Sequence, residues 1–236
     1  STISDDMGFK TLESMNACEP YNRLMFKNIE PSLGERIIEV GSGIGNIMKY
    51  MLDKEFVLAT DISKSYLNIL KNSFENSPSV KTERLDLDNF DPADLKTHGP
   101  DTIVCLNVLE HIKDDLAALR KLNSLLPENG KLILLVPSHQ KAFGTLDANL
   151  GHYKRYSKKD ILNLAKESGF NIKKLRHMNI PGLMAWFISG KILRRRSLSR
   201  LQMRMFNIFI PFIRLESMFK LPIGLSLIAT LEKNKS

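Results

Sequence analysis

The stretch Arg36–Tyr50 reads R-I-I-E-V-G-S-G-I-G-N-I-M-K-Y and carries the strongest structural signal in the chain. Its apolar start, Ile37 to Val40, is typical of a buried parallel strand. Three glycines follow at alternate positions, and Asn46–Leu52 has the pattern of a helix start. A strand, a glycine turn and a helix N-terminus together form a site where the backbone can approach a ligand closely.

The glycine spacing excludes two common nucleotide-binding loops. The dinucleotide pattern G-x-G-x-x-G would place a glycine at position 46, where the chain has Asn46. A P-loop would need Gly-Lys-Ser/Thr, which is also missing here. Taken alone, the stretch leaves open an ordinary glycine turn in some other α/β protein.

The apolar pattern along the chain predicts a doubly wound α/β fold. Strand and helix alternate as far as residue 136, which favours a parallel sheet. Two short helices separated near Pro20 are predicted in residues 9–30. Six further strands follow the first, at Phe56–Ala59, Val80–Leu85, Thr102–Leu106, Lys131–Val136, Asn171–His177 and Leu225–Leu231. The remaining predicted helices are Lys64–Glu75, with Ser63 as its N-cap, Asp114–Leu126 and Lys158–Ser168.

Polar side chains follow several predicted strands at one edge of this sheet. Asp61, Asp86 and Asn107 all come at strand ends, on the edge that carries the glycine loop. Ligands of such sheets bind at the carboxyl ends of the strands. A carboxylate at Asp61 can accept hydrogen bonds from a ribose diol, although a cap for the following helix is the alternative. The sequence therefore predicts one composite site at this edge.

Four motifs in order now resemble the class I S-adenosylmethionine-dependent methyltransferases over roughly residues 35–137. They are E-V-G-S-G-I-G, T-D-I-S, L-D-L-D and L-N-V-L-E-H-I. The resemblance implies a Rossmann-like seven-stranded sheet with an antiparallel last strand. It also implies S-adenosyl-L-methionine as the cofactor and S-adenosyl-L-homocysteine as the product. The cofactor contacts it implies are Glu39, Gly41, Gly43, Gly45, Asp61, Ile62, Asp86, Leu87 and Asn107.

Within that set the resemblance assigns several roles. Glu39 neutralises the cofactor ammonium or orders the loop, Asp86 faces the adenine amino group, and Leu87 flanks the ring. Asn107 supplies a backbone carbonyl near the amino acid end. An acidic edge with Glu39, Asp61 and Asp86 also suits a sulfonium cation better than a pyrophosphate, on charge alone.

Two histidines are candidates for a catalytic base. His111 lies in L-E-H-I, and His152 lies in the phrase D-x-x-x-G-H-x-x-R-Y, which resembles a methyltransferase subgroup with this loop beside the substrate. A histidine that caps a helix or packs behind the cofactor is the alternative for His111. The substrate candidates are Asp147, His152, Arg155 and Tyr156, against a loop held by its own Asp–Arg and Tyr hydrogen bonds. No metal site is expected.

The chain is predicted to form one domain with a helical cap insertion. Residues 1–33 form N-terminal helices, 34–137 the cofactor-binding core, 138–157 the substrate loop and 178–222 the cap. The cap has three interpretations: a wall of the pocket, an amphipathic surface for anionic lipid through residues 191–220, or a dimer face. The chain is accordingly expected to be a monomer or a homodimer.

Charge and cysteine usage limit the partners. The net charge is +8, and residues 180–236 hold ten Lys and Arg against two Glu, which accounts for the whole excess. A nucleic-acid partner is therefore not expected. The two distant cysteines, Cys18 and Cys105, and the lack of a signal-peptide pattern favour a cytoplasmic location, with peripheral contact to the inner membrane face.

The sequence predicts methyl transfer by in-line displacement to an O or N nucleophile of a small or lipid-like, amphiphilic molecule. A non-catalytic cofactor-binding or membrane-associated scaffold protein with the same fold is the alternative. An NAD-dependent oxidoreductase would need glycine at position 46 and a catalytic Tyr/Lys or Cys pair.

Overall fold

The computed structural model describes residues 18–195, 207–216 and 221–235. Seven strands form one sheet in the order β3-β2-β1-β4-β5-β7-β6. Their bounds are β1 Arg36–Val40, β2 Phe56–Asp61, β3 Val80–Arg84, β4 Thr102–Leu106, β5 Lys131–Pro137, β6 Phe170–Met178 and β7 Ser226–Lys233. The first five strands run parallel, and β7 is antiparallel to both of its neighbours, β5 and β6. The predicted α/β sheet with an antiparallel last strand is confirmed.

Helices cover both faces of the sheet. They are α1 Glu19–Ile29, α2 Lys64–Ser73, α3 Pro92–Lys96, α4 Asp115–Leu125, α5 Thr145–Leu150, α6 Lys158–Glu167, α7 Ile180–Phe187 and α8 Ile210–Glu216. Because successive strand residues point to opposite faces, the neighbours Ile37 and Ile38 belong to two separate core clusters. The cluster with Ile38 includes residues of α4 and α6, and the cluster with Ile37 includes residues of α1, α2 and α8. Both faces of the central strands are therefore buried, as their continuous apolar sequence predicts.

Of two local predictions near the glycine loop, the helix over Asn46–Leu52 is wrong, and the N-cap position of Ser63 is confirmed. Instead of a helix over Asn46–Leu52, the chain forms a single 3₁₀ turn at Met48–Tyr50, because β2 already begins at Phe56. Ser63 precedes α2 but its side chain makes no capping hydrogen bond, since its hydroxyl pairs with that of Ser65 at 2.7 Å.

The cap insertion contributes two described helices. α7 continues into a π-helical turn at Ile188–Ile192, and α8 packs against α1. In the part of the chain that the structure describes, no helix combines the length and apolar character needed to cross a bilayer. The helix predicted ahead of Pro20 and the cap residues 196–206 and 217–220 lie outside the described residues. Pro20 itself lies in the first turn of α1, where its missing N–H costs nothing.

Candidate active site

The glycine loop leaves β1 in a backbone conformation that favours glycine. Gly41, Gly43 and Gly45 have φ values of +71°, +56° and +86°. A Cβ on Gly41 would lie 2.3 Å from Cγ2 of Val108, so the loop packs directly on the segment that follows β4. A Cβ on Gly45 would lie 2.7 Å from the Phe74 ring. Gly45 thus allows the loop to pack on the end of α2, in addition to its predicted place beside a ligand.

Glu39 provides a buried carboxyl group directly beneath this loop. Its side chain is 4% exposed, and within the described residues Oε2 has no hydrogen-bond partner. Burial, with a smaller contribution from the Asp61 carboxylate, raises the pKa of Glu39 to about 7. An unpaired buried carboxyl oxygen beside a left-handed glycine loop fits a ligand with a cationic group such as an ammonium.

Asp61 lies at the end of β2 and connects the loop to α2. Its Oδ2 accepts a hydrogen bond from the Gly43 amide at 2.9 Å, and Oδ1 accepts one from the Ser63 amide at 2.9 Å. The carboxylate is 8% exposed. Asp61 therefore has the position predicted for a ribose contact, and it also orders the glycine loop and the start of α2.

The remaining predicted cofactor residues line the same edge with different exposure. Ile62 is 56% exposed, beside Asp61, and Asp86 is half-buried, with Oδ1 accepting from the Asp88 amide at 3.1 Å. Asn107 follows β4 in a left-handed conformation with φ of +55° and is exposed. Leu87 is only 4% exposed and packs in the core, and its contact with a ring stays a prediction.

A cluster of Glu110, His111 and His152 lies next to the loop, two residues beyond Val108. The His111 and His152 rings meet edge to face with centroids 4.8 Å apart, and His152 Nε2 lies 4.0 Å from Oε1 of Glu110. Glu110 is 1% exposed, and neither of its carboxyl oxygens has a hydrogen-bond partner among the described residues. The structure thus brings together the two predicted catalytic histidines.

Burial favours the uncharged forms of two residues in this cluster, Glu110 and His111. Burial raises the pKa of Glu110 to about 8, so its carboxyl group holds a proton at neutral pH. Partial burial, followed by the neighbouring His152, lowers the pKa of His111 to about 4, although the residue as a whole is exposed. The potential ligand atoms of the three residues lie within 4.8 Å of one another, close enough to share a metal ion. The expectation of no metal stays a prediction.

Asp147 is the centre of the hydrogen bonds that hold the loop. It is fully buried and accepts from His152 Nδ1 at 3.0 Å, Arg155 Nε at 2.8 Å, Trp186 Nε1 at 3.0 Å and the Gly144 amide at 2.9 Å. Burial alone would raise the pKa of this carboxyl group. The hydrogen bonds and the Arg155 charge outweigh it and hold the pKa at about 2. Asp147 is therefore a carboxylate at every physiological pH.

Arg155 and Tyr156 have structural partners in this arrangement. Arg155 is 2% exposed, donates from Nη1 to the Ser138 carbonyl at 3.0 Å, and lies over the Trp186 ring at 5.2 Å. Tyr156 is fully buried, and its hydroxyl contacts the Leu109 carbonyl and Asp115. The geometry favours the alternative in which the loop is held by its own hydrogen bonds. The clamp on a substrate anion predicted for Arg155 would need this buried network to open.

Two features of the site were missed from the sequence. Trp186, in the cap, donates a hydrogen bond to Asp147 in the substrate loop. No local sequence pattern predicts a contact between residues 39 positions apart. His139 follows β5 with φ of +62° and stacks on His177 at 4.8 Å. A histidine two residues after the end of β5 is a signal that would have pointed to His139, since strand ends form this edge.

Comparison with known proteins agrees with this geometry. The model of a methyltransferase-domain family matches residues 14–175, well over half of the chain. A highly reducing polyketide synthase from Pyrenophora dematioidea is 30% identical over 112 residues, which cover 42% of this chain and 4% of that protein. The chain spans less than a tenth of the length of the curated relatives it matches.

Solved structures share the fold at low sequence identity. An S-adenosylmethionine-dependent methyltransferase from Mesorhizobium loti superposes with a TM-score of 0.60 at 15% identity, over 88% of this chain and 96% of that one. The magnesium protoporphyrin IX methyltransferase of Synechocystis, solved with bound S-adenosylhomocysteine, gives 0.57 at 15% identity, over 92% and 84%. The chain therefore belongs to the methyltransferase-domain family and has its class I, Rossmann-like fold.

Proposed function

We propose that the chain transfers the methyl group of S-adenosylmethionine to an O or N nucleophile of a small or amphiphilic acceptor. The transfer would take place beside the Glu110, His111 and His152 cluster. The observation that carries this proposal is the contact between His152 and the buried carboxylate of Asp147. A histidine oriented by a buried aspartate is a frequent arrangement for moving a proton. Val108 connects this cluster to Gly41 of the glycine loop, so the acceptor and the cofactor would meet there.

The chain's own groups then have defined roles. The Asp147 carboxylate accepts from Nδ1 of His152, which leaves Nε2 as the proton acceptor. Asp147 also stabilises the imidazolium that forms when His152 takes a proton from a hydroxyl or amine. His111 stays neutral at neutral pH and can accept a hydrogen bond from the same nucleophile.

The bound cofactor supplies a methyl group on a sulfonium, which is already an activated leaving group. The protein is then required mainly to align the nucleophile and to exclude water. Water is excluded here because the side chains of Asp147, Glu110 and Arg155 are at most 2% exposed.

An apolar groove between the loop after β5 and α7 favours an amphiphilic acceptor. The groove has a volume of about 340 Å³ and is lined by His139, Lys141, Ala142, Leu183, Met184 and Phe187. It separates α7 from the loop after β5, which leads into α5 and Asp147. An acceptor with an apolar part in this groove would extend its polar end toward the histidines.

Transfer of labelled methyl groups from S-adenosylmethionine to a panel of hydroxylated, carboxylated, amine and lipid-linked acceptors tests the proposal. With an active acceptor, His152→Gln is expected to lower kcat about 100- to 10,000-fold, the usual contribution of a general base. His98→Gln is the matched control, since His98 lies beside Glu83 at 3.1 Å, away from the cluster. If His111→Asn and His152→Gln both leave kcat within a few-fold of the parent, the cluster is not the acceptor site. A parent that binds the cofactor and methylates no acceptor would support the non-catalytic alternative.

A further inference from the structure

Most of the exposed large apolar side chains lie on the cap or directly after it. The structure describes fourteen exposed large hydrophobic residues, and ten of them lie between positions 184 and 223. We call this group the cap surface: Met184, Phe187, Ile188, Ile192, Leu193, Ile208, Phe209, Phe212, Leu215 and Ile223. Exposed apolar surface concentrated in this way usually marks an interaction site.

The helix that carries four of the ten cap-surface residues buries its small residues and exposes its large apolar ones. Across α7 and the following π-helical turn, the buried residues are Gly182, Ser189 and Gly190. Met184, Phe187, Ile188 and Ile192 instead face outward, with exposures of 40% to 63%. A helix at a water-facing surface has the opposite arrangement.

Close backbone packing fixes this orientation. A Cβ on Gly144 would lie 2.9 Å from the Gly190 carbonyl oxygen, and one on Gly190 would lie 3.3 Å from Leu146. The side that packs on α5 therefore accepts only small residues. Rotating the helix to bury its large side chains would separate it from α5, so the apolar face stays outside.

The charges around the cap surface are predominantly positive, although Glu216 follows Leu215 and accepts a hydrogen bond from the Ile180 amide at 3.0 Å. From Ile180 to Leu215 the sequence contains seven Lys and Arg and no Asp or Glu. Lys191, Arg194 and Arg195 are exposed at the end of the π-helical turn that follows α7. None of these three forms an ion pair within the described ranges.

We propose that the cap surface binds the anionic surface of a lipid bilayer. The apolar side chains would enter the boundary between headgroups and acyl chains, and the basic residues would meet anionic headgroups. A second copy of the chain fits less well, since a two-fold contact would bring two equally basic surfaces together. This inference does not depend on the acceptor of the methyl group.

Sedimentation with lipid vesicles tests the proposal on the full chain. The parent is expected to bind vesicles of phosphatidylcholine with 30% phosphatidylglycerol at low salt, and to bind pure phosphatidylcholine much more weakly. Arg194→Asn with Arg195→Asn should weaken binding roughly 30-fold, from about 1 kcal/mol per basic residue at 1.4 kcal/mol per tenfold. Ile188→Gln with Ile192→Gln should weaken it about tenfold or more.

Matched variants elsewhere separate this effect from general changes in charge or polarity. Lys71 and Lys166 are exposed on other helices, so Lys71→Asn with Lys166→Asn should bind vesicles like the parent. Leu162 is 51% exposed on α6, and Leu162→Gln should also have no effect. All variants should keep the parent's affinity for S-adenosylhomocysteine, which reports that they are folded.

Two results would overturn the proposal. One is a parent protein that does not bind anionic vesicles at low salt. The cap surface would then bind a second copy of the chain, seen as a dimer in analytical ultracentrifugation, or the chain's own residues 1–17. The other is equal loss of vesicle binding in the cap variants and the matched controls. Failure of methyl transfer with intact vesicle binding would contradict only the proposed function.

Discussion

At the scale of single residues, Gly41 combines a left-handed backbone with close packing against Val108. Its φ is +71°, and a Cβ there would lie 2.3 Å from Cγ2 of Val108. We expect Gly41→Ala to lower the affinity for S-adenosylhomocysteine at least tenfold, because the loop must move away from Val108. Isothermal calorimetry measures the affinity, and urea unfolding measures the accompanying loss of stability.

Gly99 provides the control for backbone strain alone. Its φ is +59°, but the nearest contact of an added Cβ is Arg36 Nε at 3.7 Å. Gly99→Ala should therefore cost about 1–2 kcal/mol of stability from the left-handed conformation and leave cofactor affinity unchanged. Adding Val108→Ala to Gly41→Ala should restore part of the affinity. If the double variant is no better than Gly41→Ala, the Val108 contact is not the cause.

Glu39 is expected to make stability depend on pH. The pKa is about 7 in the folded protein and near 4.5 in a flexible chain, so the folded state binds more protons between these values. The contribution of Glu39 to the free energy of unfolding therefore falls as the pH rises from 4.5 to 7, and levels off above 7. Glu39→Gln removes this fall. The difference in stability between variant and parent should grow by about 1–3 kcal/mol over that window.

Urea unfolding at pH 5, 6 and 7 measures that difference. Glu110 titrates in both proteins and cancels from the comparison. A constant difference across the three pH values would mean that the Glu39 carboxyl is already ionised in the folded protein.

Residue roles were predictable where a backbone pattern sets them, and less so where a side chain chooses its partner. The glycine loop, Asp61 and the two histidines lie together at one edge, as the motif spacing indicated. The direction of Arg155 was not readable, because either a substrate anion or Asp147 satisfies a guanidinium. Asp147 is fully buried and lies only eight residues before Arg155. It accepts a hydrogen bond from Arg155 Nε at 2.8 Å.

At the scale of elements, Trp186 attaches the cap helix α7 to the substrate loop. Its indole N–H donates to Asp147 Oδ2 at 3.0 Å, and its ring lies under Arg155. Trp186→Phe keeps a ring in place but removes the donor to a buried carboxylate. We expect a loss of about 1–2 kcal/mol in the free energy of unfolding, since the bond involves a charged partner.

Circular dichroism follows this unfolding, because Trp186 is the only tryptophan and its loss removes the fluorescence signal. Phe187→Leu is the control on the same helix, at a side chain that is 40% exposed, and should change stability by less than about 0.5 kcal/mol. Equal effects of the two changes would mean that the indole hydrogen bond does not hold the cap.

Strand positions were the most predictable elements. β4 has the predicted bounds, Thr102–Leu106, because a short apolar run between Pro100 and a polar residue allows few other readings. The helix expected after the glycine loop failed because local pattern does not include the distance to the next strand. The contact of α7 with the substrate loop is also beyond local pattern, since it joins residues far apart in sequence.

At the scale of the whole molecule, alternation of strand and helix predicted the parallel half of the sheet, and the family resemblance was needed for the rest. Nothing in the apolar run of β7 indicates that it inserts between β5 and β6. That insertion matters for the site, because the segment ahead of β7 carries the cap. A ligand that contacts both the glycine loop and the histidine cluster should therefore raise the free energy of unfolding of the whole chain.

Cofactor binding should raise the melting temperature of the whole molecule, since the ligand binds the folded state alone. At a S-adenosylhomocysteine concentration a hundredfold above Kd the gain is about 2.7 kcal/mol, or roughly 5–11 °C for a domain of this size. NAD at the same concentration should give no shift, because Asn46 replaces the glycine that a pyrophosphate loop requires. Gly43→Val should abolish the shift, since a β-branched residue opposes φ of +56° and would fill the cradle. Differential scanning calorimetry measures all three, and a Gly43→Val protein that keeps the parent's shift would place the cofactor away from this loop.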